Sequence, residues 1–242
     1  MKVCVVIPTY NNSSTIGQVI GSALACCPEV IVVCDGADKA TVDAVEEFRG
    51  RIDIISYPVN HGKGYALKTA LRHAKKRGFD YAVTMDSDGQ HFADDIPLFL
   101  NAISAHSGPL YVGSRPLDAE NMPSGSSFAN RFSNFWFTVQ TGLKLPDTQT
   151  GFRAYPLSGC VMPFSNRYEA ELEMLVRSAW KGVKIVPVPI KVYYAPSCQR
   201  VSHFRKGRDF LRISLMNTVL VLLSLVYGWP ATLFHKLYGG GR

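Results

Sequence analysis

The chain lacks the features that mark disulfide-stabilised, zinc-binding and nucleic-acid-binding proteins. Its six cysteines show no Cys-x-x-Cys spacing, so the composition indicates a reduced, cytosolic setting without a thiolate metal site. No charged-then-apolar leader precedes the first apolar run, and no signal peptide is expected. Internal repeats, low-complexity tracts and helix-turn-helix, zinc-finger or RNA-binding signatures are missing as well. Nucleic acid is therefore not an expected partner.

The charge balance is positive, with a formal net charge of +7 over 242 residues. An excess of this size favours an anionic partner, such as a nucleotide sugar, a lipid phosphate or an acidic membrane surface. The length fits one large α/β domain with an ample core and a short extension.

The first half alternates short apolar runs with stretches of helical pattern. The runs span residues 3–7, 30–34 and 52–56, and the helical stretches span 15–27, 39–49 and 62–77. Continuous apolar strands fit a sheet covered on both faces, and this order predicts parallel strands with right-handed crossovers. Ligands bind such sheets at the carboxyl ends of the strands. The loops expected there are 8–12, 35–38, 58–63 and 86–91.

A pair of aspartates follows the fourth apolar approach. Residues 83–91 read Val-Thr-Met-Asp-Ser-Asp-Gly-Gln-His, so a strand delivers Asp86 and Asp88 to its carboxyl end and the chain turns at Gly89. Carboxylate and amide oxygens suit Mg²⁺ or Mn²⁺, which makes Asp86, Asp88 and Gln90 candidate ligands of a metal that holds a diphosphate. The alternative is a turn in which these side chains accept hydrogen bonds from neighbouring backbone groups.

Six segments in order carry a resemblance to a known family. They are Val-Val-Ile-Pro-Thr-Tyr-Asn-Asn at 5–12, Cys-Asp-Gly-Ala at 34–37, Asn-His-Gly-Lys-Gly at 60–64, Met-Asp-Ser-Asp-Gly-Gln-His at 85–91, Gly-Ser-Arg at 113–115 and Asp-Thr-Gln-Thr-Gly-Phe-Arg at 147–153. Together they resemble the inverting family 2 glycosyltransferases, and most closely the branch that transfers mannose or glucose to polyprenyl (dolichyl) phosphate. The resemblance covers residues 3 to about 210 and implies a GT-A fold.

The donor site is expected in the first four loops. The residues assigned to the nucleotide-sugar are Pro8, Thr9, Tyr10, Asn12, Asp35, Lys63, Asp86, Ser87 and Glu171. A helix N-cap is the alternative for Asp35. Lys63 lies in a glycine-flanked turn that opens a helix, where a phosphate would meet a cation and free N–H groups, although the Walker A spacing is absent. The resemblance places Glu171, or its neighbour Glu173, near the donor sugar.

The acceptor site is expected in the second half. Arginines assigned to an acceptor phosphate are Arg115, Arg131, Arg153, Arg200 and Arg205. The last two lie in a segment that resembles the flexible acceptor loop of this branch, with a basic juxtamembrane patch as the competing interpretation. Phe128, Phe132, Phe135, Trp136 and Val139 recur at helical spacing, which is typical of a core-facing stripe.

The region 147–153 bears on the mechanism. Relatives that use a sugar hydroxyl carry an acidic base in a Glu-Asp pattern, which this chain lacks, because a hydroxyl must lose a proton. A phosphate acceptor is already ionised, so arginines that orient it are more useful than a base. Asp88, Arg115 and Asp147 are the candidate catalytic residues, with Asp147 a base only if the acceptor is a hydroxyl. A turn or cap role is the alternative for Asp147.

The C-terminal segment 213–229 contains no charge and would form a helix about 25 Å long. That length is marginal for spanning a bilayer, and Pro230 follows at once. Basic residues flank the segment on both sides, with Tyr227 and Trp229 at one end, which suits a helix in the membrane interface or a short inserted segment. A buried core helix is the alternative.

These observations predict an α/β protein with a GT-A fold: a Rossmann-like, mostly parallel sheet flanked by helices in residues 1–210, and an apolar membrane-associated segment in 211–242. The predicted activity is metal-dependent transfer of a hexose from a nucleotide diphosphate-sugar to a polyprenyl phosphate, with inversion, at the cytoplasmic face of the cytoplasmic membrane. The alternatives are transfer to a lipid or saccharide hydroxyl, a nucleotidyltransferase, and a non-catalytic membrane-associated scaffold that binds a nucleotide-sugar. The nucleotidyltransferase is disfavoured because its extended glycine-rich signature is missing.

Overall fold

The computed structural model describes residues 1–116, 124–193 and 206–238. One sheet of seven strands forms the centre of this part of the chain, in the order β3-β2-β1-β4-β6-β5-β7. The strands are β1 (Val3–Thr9), β2 (Val30–Asp35), β3 (Asp53–Tyr57), β4 (Tyr81–Thr84), β5 (Leu110–Ser114), β6 (Arg153–Pro156) and β7 (Ile185–Pro189).

Helices cover both faces of the sheet. They are α1 (Ile16–Cys26), α2 (Lys39–Glu46), α3 (Lys63–Lys76), α4 (Ile96–Ala105), α5 (Ser124–Thr141), α6 (Glu169–Trp180), α7 (Lys206–Leu223) and α8 (Trp229–Tyr238). One core cluster joins the sheet to α3, α5, α6 and α7, and a second joins the opposite face to α1, α2 and α4. This three-layer arrangement confirms the predicted mostly parallel α/β sheet.

The parallel part of the sheet explains where the site lies. Strand β1 pairs in parallel with β2 and β4, and β2 pairs in parallel with β3. The loops after β1, β2 and β4 therefore meet at one edge. Buried, branched residues such as Val5, Val32 and Val83 occupy these strands, as expected for a sheet covered on both faces.

Strand β6 runs antiparallel to both β4 and β5. Since it lies between them, it brings the segment 147–152 beside the end of β4. The regular alternation of the first half does not predict this insertion, because the pairing joins residues far apart in sequence.

The structure corrects two predictions about apolar segments. Phe128, Phe132 and Phe135 on α5 are 72%, 42% and 59% exposed, so the aromatic stripe was wrongly predicted to face the core. Helix α5 instead buries Phe137 and Gln140.

The C-terminal segment is longer than 213–229. Helix α7 continues through a π-helical stretch, Ser224–Gly228, into α8, and Pro230 lies in the first turn of α8, where a missing N–H is tolerated. The boundary predicted at 210/211 falls inside α7.

The helical run Gly207–Phe234 is long and apolar enough to cross a membrane, and only 17% of its most apolar window is buried. Its buried residues form one stripe that packs on the domain: Asp209, Asn217, Leu220, Ser224 and Gly228. Gln140 donates to the Asn217 side chain, the Trp180 indole donates to the Gln140 carbonyl, and Gly228 packs against Trp180. The opposite side exposes apolar residues, so the structure does not support a buried core helix.

Candidate active site

A cleft of about 460 Å³ opens at the carboxyl edge of β1, β2 and β4. Its lining includes these residues assigned from the sequence to nucleotide or metal: Pro8, Thr9, Tyr10, Asn12, Asp35, Lys63, Asp86, Ser87, Asp88 and Gln90. The structure therefore brings together loops that are separated, from Pro8 to Gln90, by about a third of the chain. Glu171 is connected to this group through its ion pair with Lys63.

Hydrogen bonds fix the loop after β4 to the loop after β1. The Asn12 side-chain amide donates to the Ser87 hydroxyl at 2.6 Å, and the Thr15 hydroxyl donates to the Ser87 carbonyl at 2.7 Å. Gly89 has a φ of 75°, which makes the turn predicted after the two aspartates. The position of the Asp86-Ser87-Asp88 segment is thus set before any ligand binds.

Asp35 organises the loop that precedes α3. Its carboxylate accepts from the backbone N–H groups of His61 and Gly62 at 2.8 and 2.7 Å, and from the Asn60 amide at 3.0 Å. The helix N-cap that was the alternative for Asp35 is Asp38, which accepts from the Thr41 N–H. Asp35 reaches the cleft, but most of its acceptor capacity is used within the protein.

A partly buried triad of charged side chains forms the next wall of the cleft. The Lys63 ammonium lies 2.7 Å from Asp86 Oδ1 and 2.9 Å from Glu171 Oε2. Burial disfavours the charge on Asp86, but Lys63 outweighs burial and lowers the pKa of Asp86 to about 2. Burial likewise opposes the charge on Lys63, yet Asp86 and Glu171 raise its pKa above the usual value. Two of the three ammonium donors are therefore directed at carboxylates, and phosphate is not their partner in this arrangement.

Gly151 closes the space beside this triad. A Cβ at this position would lie 2.6 and 2.8 Å from the Asp86 carboxylate oxygens and 2.8 Å from Lys63 Nζ. The Thr84 hydroxyl donates to the Gly151 carbonyl at 2.7 Å, which ties the loop to β4. The glycine of the Thr-Gly-Phe-Arg segment is thus required by contact with the aspartate loop, a reason that the sequence alone does not give.

Asp88 and Gln90 complete the candidate metal edge. Burial and the nearby Asp86 charge raise the pKa of Asp88 to about 6. The Asp88 carboxylate accepts from the Gln90 N–H at 3.0 Å. Two carboxylates and one amide are a donor set suited to Mg²⁺ or Mn²⁺ that also binds substrate phosphates and water. No cluster of three His, Cys, Asp or Glu side chains with metal-binding geometry occurs in the described residues, so a metal here would depend on Gln90 and such further ligands.

Asp147 has a different environment from the one expected for a catalytic base. Its buried carboxylate accepts from Arg115 Nε at 2.6 Å and Nη2 at 3.1 Å, and from the Asn130 amide at 2.6 Å. It also accepts from the N–H groups of Gln149 and Thr150. Burial raises its pKa, but these donors, Arg115 foremost, lower it below the usual value overall. A carboxylate saturated in this way orients Arg115 and has little capacity to take a proton.

The predicted convergence of arginines on an acceptor phosphate is not observed. Arg153 is fully buried and donates to the carbonyls of Thr148, Thr150 and Glu171, so we assign it a structural role in place of the predicted phosphate contact. Arg131 is exposed on α5 and does not line the cleft.

The remaining predictions for this region concern Arg200, Arg205 and Glu173. Arg200 and Arg205 lie outside the described residues. Glu173, the alternative to Glu171, accepts from the N–H groups of Phe164 and Ser165 and pairs with Arg177. It therefore stabilises the loop before α6 and does not contribute to the donor site.

Several cleft residues were not predicted from the sequence. They are Asn60, Gly62, Ala66, Arg167, Tyr168, Arg208, Asp209 and Arg212. Arg208 and Arg212 are four residues apart at the start of a helical pattern, a signal that points to one helix face but not to the surface that this face meets.

Comparison with known proteins identifies the family. The model described as "Glycosyl transferase family 2" matches residues 4–156, more than half of the chain. The protein belongs to glycosyltransferase family 2. It is accordingly a sugar-transferring enzyme, as the sequence motifs predicted.

Relatives and solved structures agree with this assignment. The chain is 30% identical over 212 residues to a UDP-N-acetylglucosamine–dolichyl-phosphate N-acetylglucosaminyltransferase of Methanococcus voltae, covering 78% of this chain and 84% of the relative. It is 29% identical to the undecaprenyl-phosphate mannosyltransferase of Micrococcus luteus, covering 78% and 83%. Glucosyl-3-phosphoglycerate synthase from Mycobacterium tuberculosis, solved with Mn²⁺, UDP-glucose and phosphoglyceric acid, superposes with a TM-score of 0.66 at 19% identity, covering 92% and 79%. This last likeness shows the GT-A fold.

Proposed function

We propose that this glycosyltransferase moves a hexose from a nucleotide diphosphate-sugar to a polyprenyl phosphate, with a divalent metal and with inversion at the anomeric carbon. The observation that carries the proposal is the single cleft that joins Asp86, Asp88 and Gln90 to the loops after β1 and β2. A nucleotide in those loops would present its diphosphate to the two aspartates.

The metal requirement follows from charge. Asp86 and Asp88 are half-buried carboxylates close enough for the first to raise the pKa of the second, and a cation between them would relieve that repulsion. Bound Mg²⁺ or Mn²⁺ would stabilise the negative charge that develops on the leaving nucleotide diphosphate. Lys63 contributes by holding Asp86 ionised and in place.

The state of Asp147 supports a phosphate acceptor. An acceptor hydroxyl needs a base, and the residue predicted for that role is engaged by Arg115, Asn130 and two backbone N–H groups. A phosphate oxygen can attack the anomeric carbon directly while the bond from that carbon to the nucleotide diphosphate breaks, and no proton has to be removed. The two relatives described above are named for dolichyl and undecaprenyl phosphate acceptors, which agrees with this chemistry.

We further propose that the protein attaches to the membrane at its cytoplasmic face, and the continuous helix α7–α8 supports the attachment. One side of this helix packs along the domain from Asp209 to Gly228. The opposite side is apolar and exposed, and we propose that it contacts lipid. A helix held along the domain in this way suits the membrane interface better than a perpendicular span.

A donor and acceptor panel tests the proposal. The full chain in detergent is incubated with UDP-, GDP- or dTDP-sugars, Mg²⁺ or Mn²⁺, and either a short polyprenyl phosphate or the matching polyprenol, and products are identified by mass spectrometry. We expect glycosyl phosphate lipids, and NMR of the product should show the inverted anomeric configuration. Transfer to the polyprenol, without transfer to the phosphate, would establish a hydroxyl acceptor instead.

A further inference from the structure

The cations around the cleft differ in whether they are already paired. Lys63 is held by two carboxylates, Arg115 by Asp147, and Arg153 by backbone carbonyls. These groups neutralise the protein's own polar atoms. A diphosphate or lipid phosphate in the cleft needs partners from elsewhere, because an uncompensated phosphate charge in a partly buried site is costly.

Two arginines on α7 meet that requirement. Arg208 and Arg212 both line the cleft, and their spacing places them one turn apart on the same face of the helix. Within the described residues neither side chain has a hydrogen bond, an ion pair or a ring contact. Arg208 is exposed and Arg212 is half-buried, so both guanidinium groups are accessible from the cleft.

Asp209 lies between the two arginines in the sequence. Its place in the sequence alone does not mean that it neutralises them. Asp209 is 4% exposed and belongs to the stripe that packs on the domain, where its charge acts on Tyr168. Arginine stays protonated at every accessible pH and its planar donors match phosphate oxygens in pairs. The cleft therefore has carboxylates on the side of β4, and on the side of α7 it has two accessible guanidinium groups beside the buried Asp209.

We propose that Arg208 and Arg212 form a phosphate-binding pair in the cleft. This inference rests on the proposed function and adds the residues that contact its phosphates. The phosphate comes from either the nucleotide diphosphate of the donor or the headgroup of the lipid acceptor, since both are anionic oxygens that would enter the same cleft. Lys63, which the sequence pointed to, positions Asp86 instead.

The test compares Arg208→Gln, Arg212→Gln and the double variant with Arg72→Gln, a control on an exposed position of α3 that has no hydrogen bond or ion pair among the described residues. The first arm measures, by calorimetry on the full chain, the Kd of a nucleoside, its monophosphate and its diphosphate. The second arm measures KM for a short polyprenyl phosphate at saturating donor. Since neither arginine has a partner among the described residues, thermal unfolding midpoints should match that of the unaltered protein.

If the pair binds the donor, each substitution weakens diphosphate binding on the order of tenfold and leaves nucleoside binding unchanged. If the pair binds the acceptor, the Kd values of the nucleotides are unchanged and the KM for polyprenyl phosphate rises on the order of tenfold. Arg208→Lys and Arg212→Lys should then retain part of the affinity, because the charge remains.

Unchanged values in both arms, or equal weakening of nucleoside and diphosphate, would overturn the assignment of the pair. Failure of the unaltered protein to bind any nucleotide or transfer any sugar would overturn the proposed function itself, so the two failures are distinguishable.

Discussion

Gly151 is a position where a single methyl group should displace the charged side chains of the cleft. Gly151→Ala would place a carbon 2.6 Å from the Asp86 carboxylate and 2.8 Å from Lys63 Nζ, so the triad must move. We expect sugar transfer to fall about tenfold or more, which corresponds to about 1.4 kcal/mol in the barrier, while the protein stays folded. Gly159→Ala is the matched control, because nothing lies within 4 Å of its added carbon. Equal activities of the two variants in a steady-state assay would contradict the contact.

Asp88→Ala tests the candidate metal edge. Loss of charge stabilisation at the leaving diphosphate should lower turnover by about 3 kcal/mol, or on the order of a hundredfold. Mn²⁺ affinity in the presence of nucleotide, followed by electron paramagnetic resonance, should fall in parallel. Asp43→Ala, on the exposed surface of α2, is the control. Full turnover in excess EDTA would rule out the metal requirement.

Asp147→Asn should affect stability more than the sequence suggested. Arg115 would keep its charge in a mostly buried position without the carboxylate, at a cost of about 3–5 kcal/mol in the free energy of unfolding. Since the folded-state pKa of Asp147 is lowered, its contribution is fully present above the ordinary value of 3.8 and is lost as pH falls toward the folded value. Urea unfolding should show a larger difference in stability between variant and unaltered protein at pH 7 than at pH 3. Asp43→Asn, which loses an exposed pair, should change little at either pH.

The positions of individual side chains were predicted best where these residues follow a strand directly. Asp86, Asp88 and Asn12 lie in the cleft because the ends of parallel strands meet at one edge. The ion pairs of Lys63 were not predicted, because its second partner, Glu171, comes from the other half of the chain. Arg153 was misjudged because sequence does not distinguish an arginine that binds phosphate from one that binds buried carbonyls.

The continuous helix α7–α8 should carry the membrane attachment through its exposed side. Leu215, Leu222 and Val226 are 65%, 60% and 81% exposed, so their replacement by serine removes apolar surface without opening the core. We expect each substitution to weaken binding to lipid vesicles by about 1.5 kcal/mol or more, on the order of tenfold. Leu98→Ser, at a 43% exposed position on α4, is the control. Flotation with vesicles measures the effect, and unchanged binding of all three variants would exclude this side as the attachment surface.

Deletion of residues 214–242 is a less specific test of the same element. It would remove Asn217 and Leu220, which are buried against the domain, and would leave Gln140 and Trp180 exposed. Loss of membrane attachment would then be inseparable from loss of stability.

Helices and strands with a local signal were predicted to within a few residues. The predicted helix 62–77 is Lys63–Lys76, and the predicted strand 52–56 is Asp53–Tyr57. The antiparallel β6 and the continuation of α7 past residue 229 were not predicted, because both depend on packing between distant segments. The aromatic stripe on α5 has the same explanation. Its helical spacing was predicted correctly, but the spacing does not indicate whether the rings face the core or the solvent.

The positive charge of the entire chain should add an electrostatic component to membrane binding. With a net charge of +7, the protein should bind vesicles with anionic lipid more tightly than neutral ones at low salt. The difference should shrink as salt approaches 0.5 M, because the screening length falls below about 8 Å. Co-sedimentation at several salt concentrations measures this. A salt-independent affinity would show that apolar contact alone determines binding.

Strand β6 also determines when the cleft can be completed during synthesis on the ribosome. The nucleotide loops and Asp86 emerge early, but β4 keeps an open edge until residues 153–156 arrive to pair with it. Until then Gly151 does not cover the Asp86 carboxylate. A nascent chain stalled before residue 150 should therefore carry the donor-binding sequence without a formed donor site, and its unpaired β4 edge would be open to pairing with other chains.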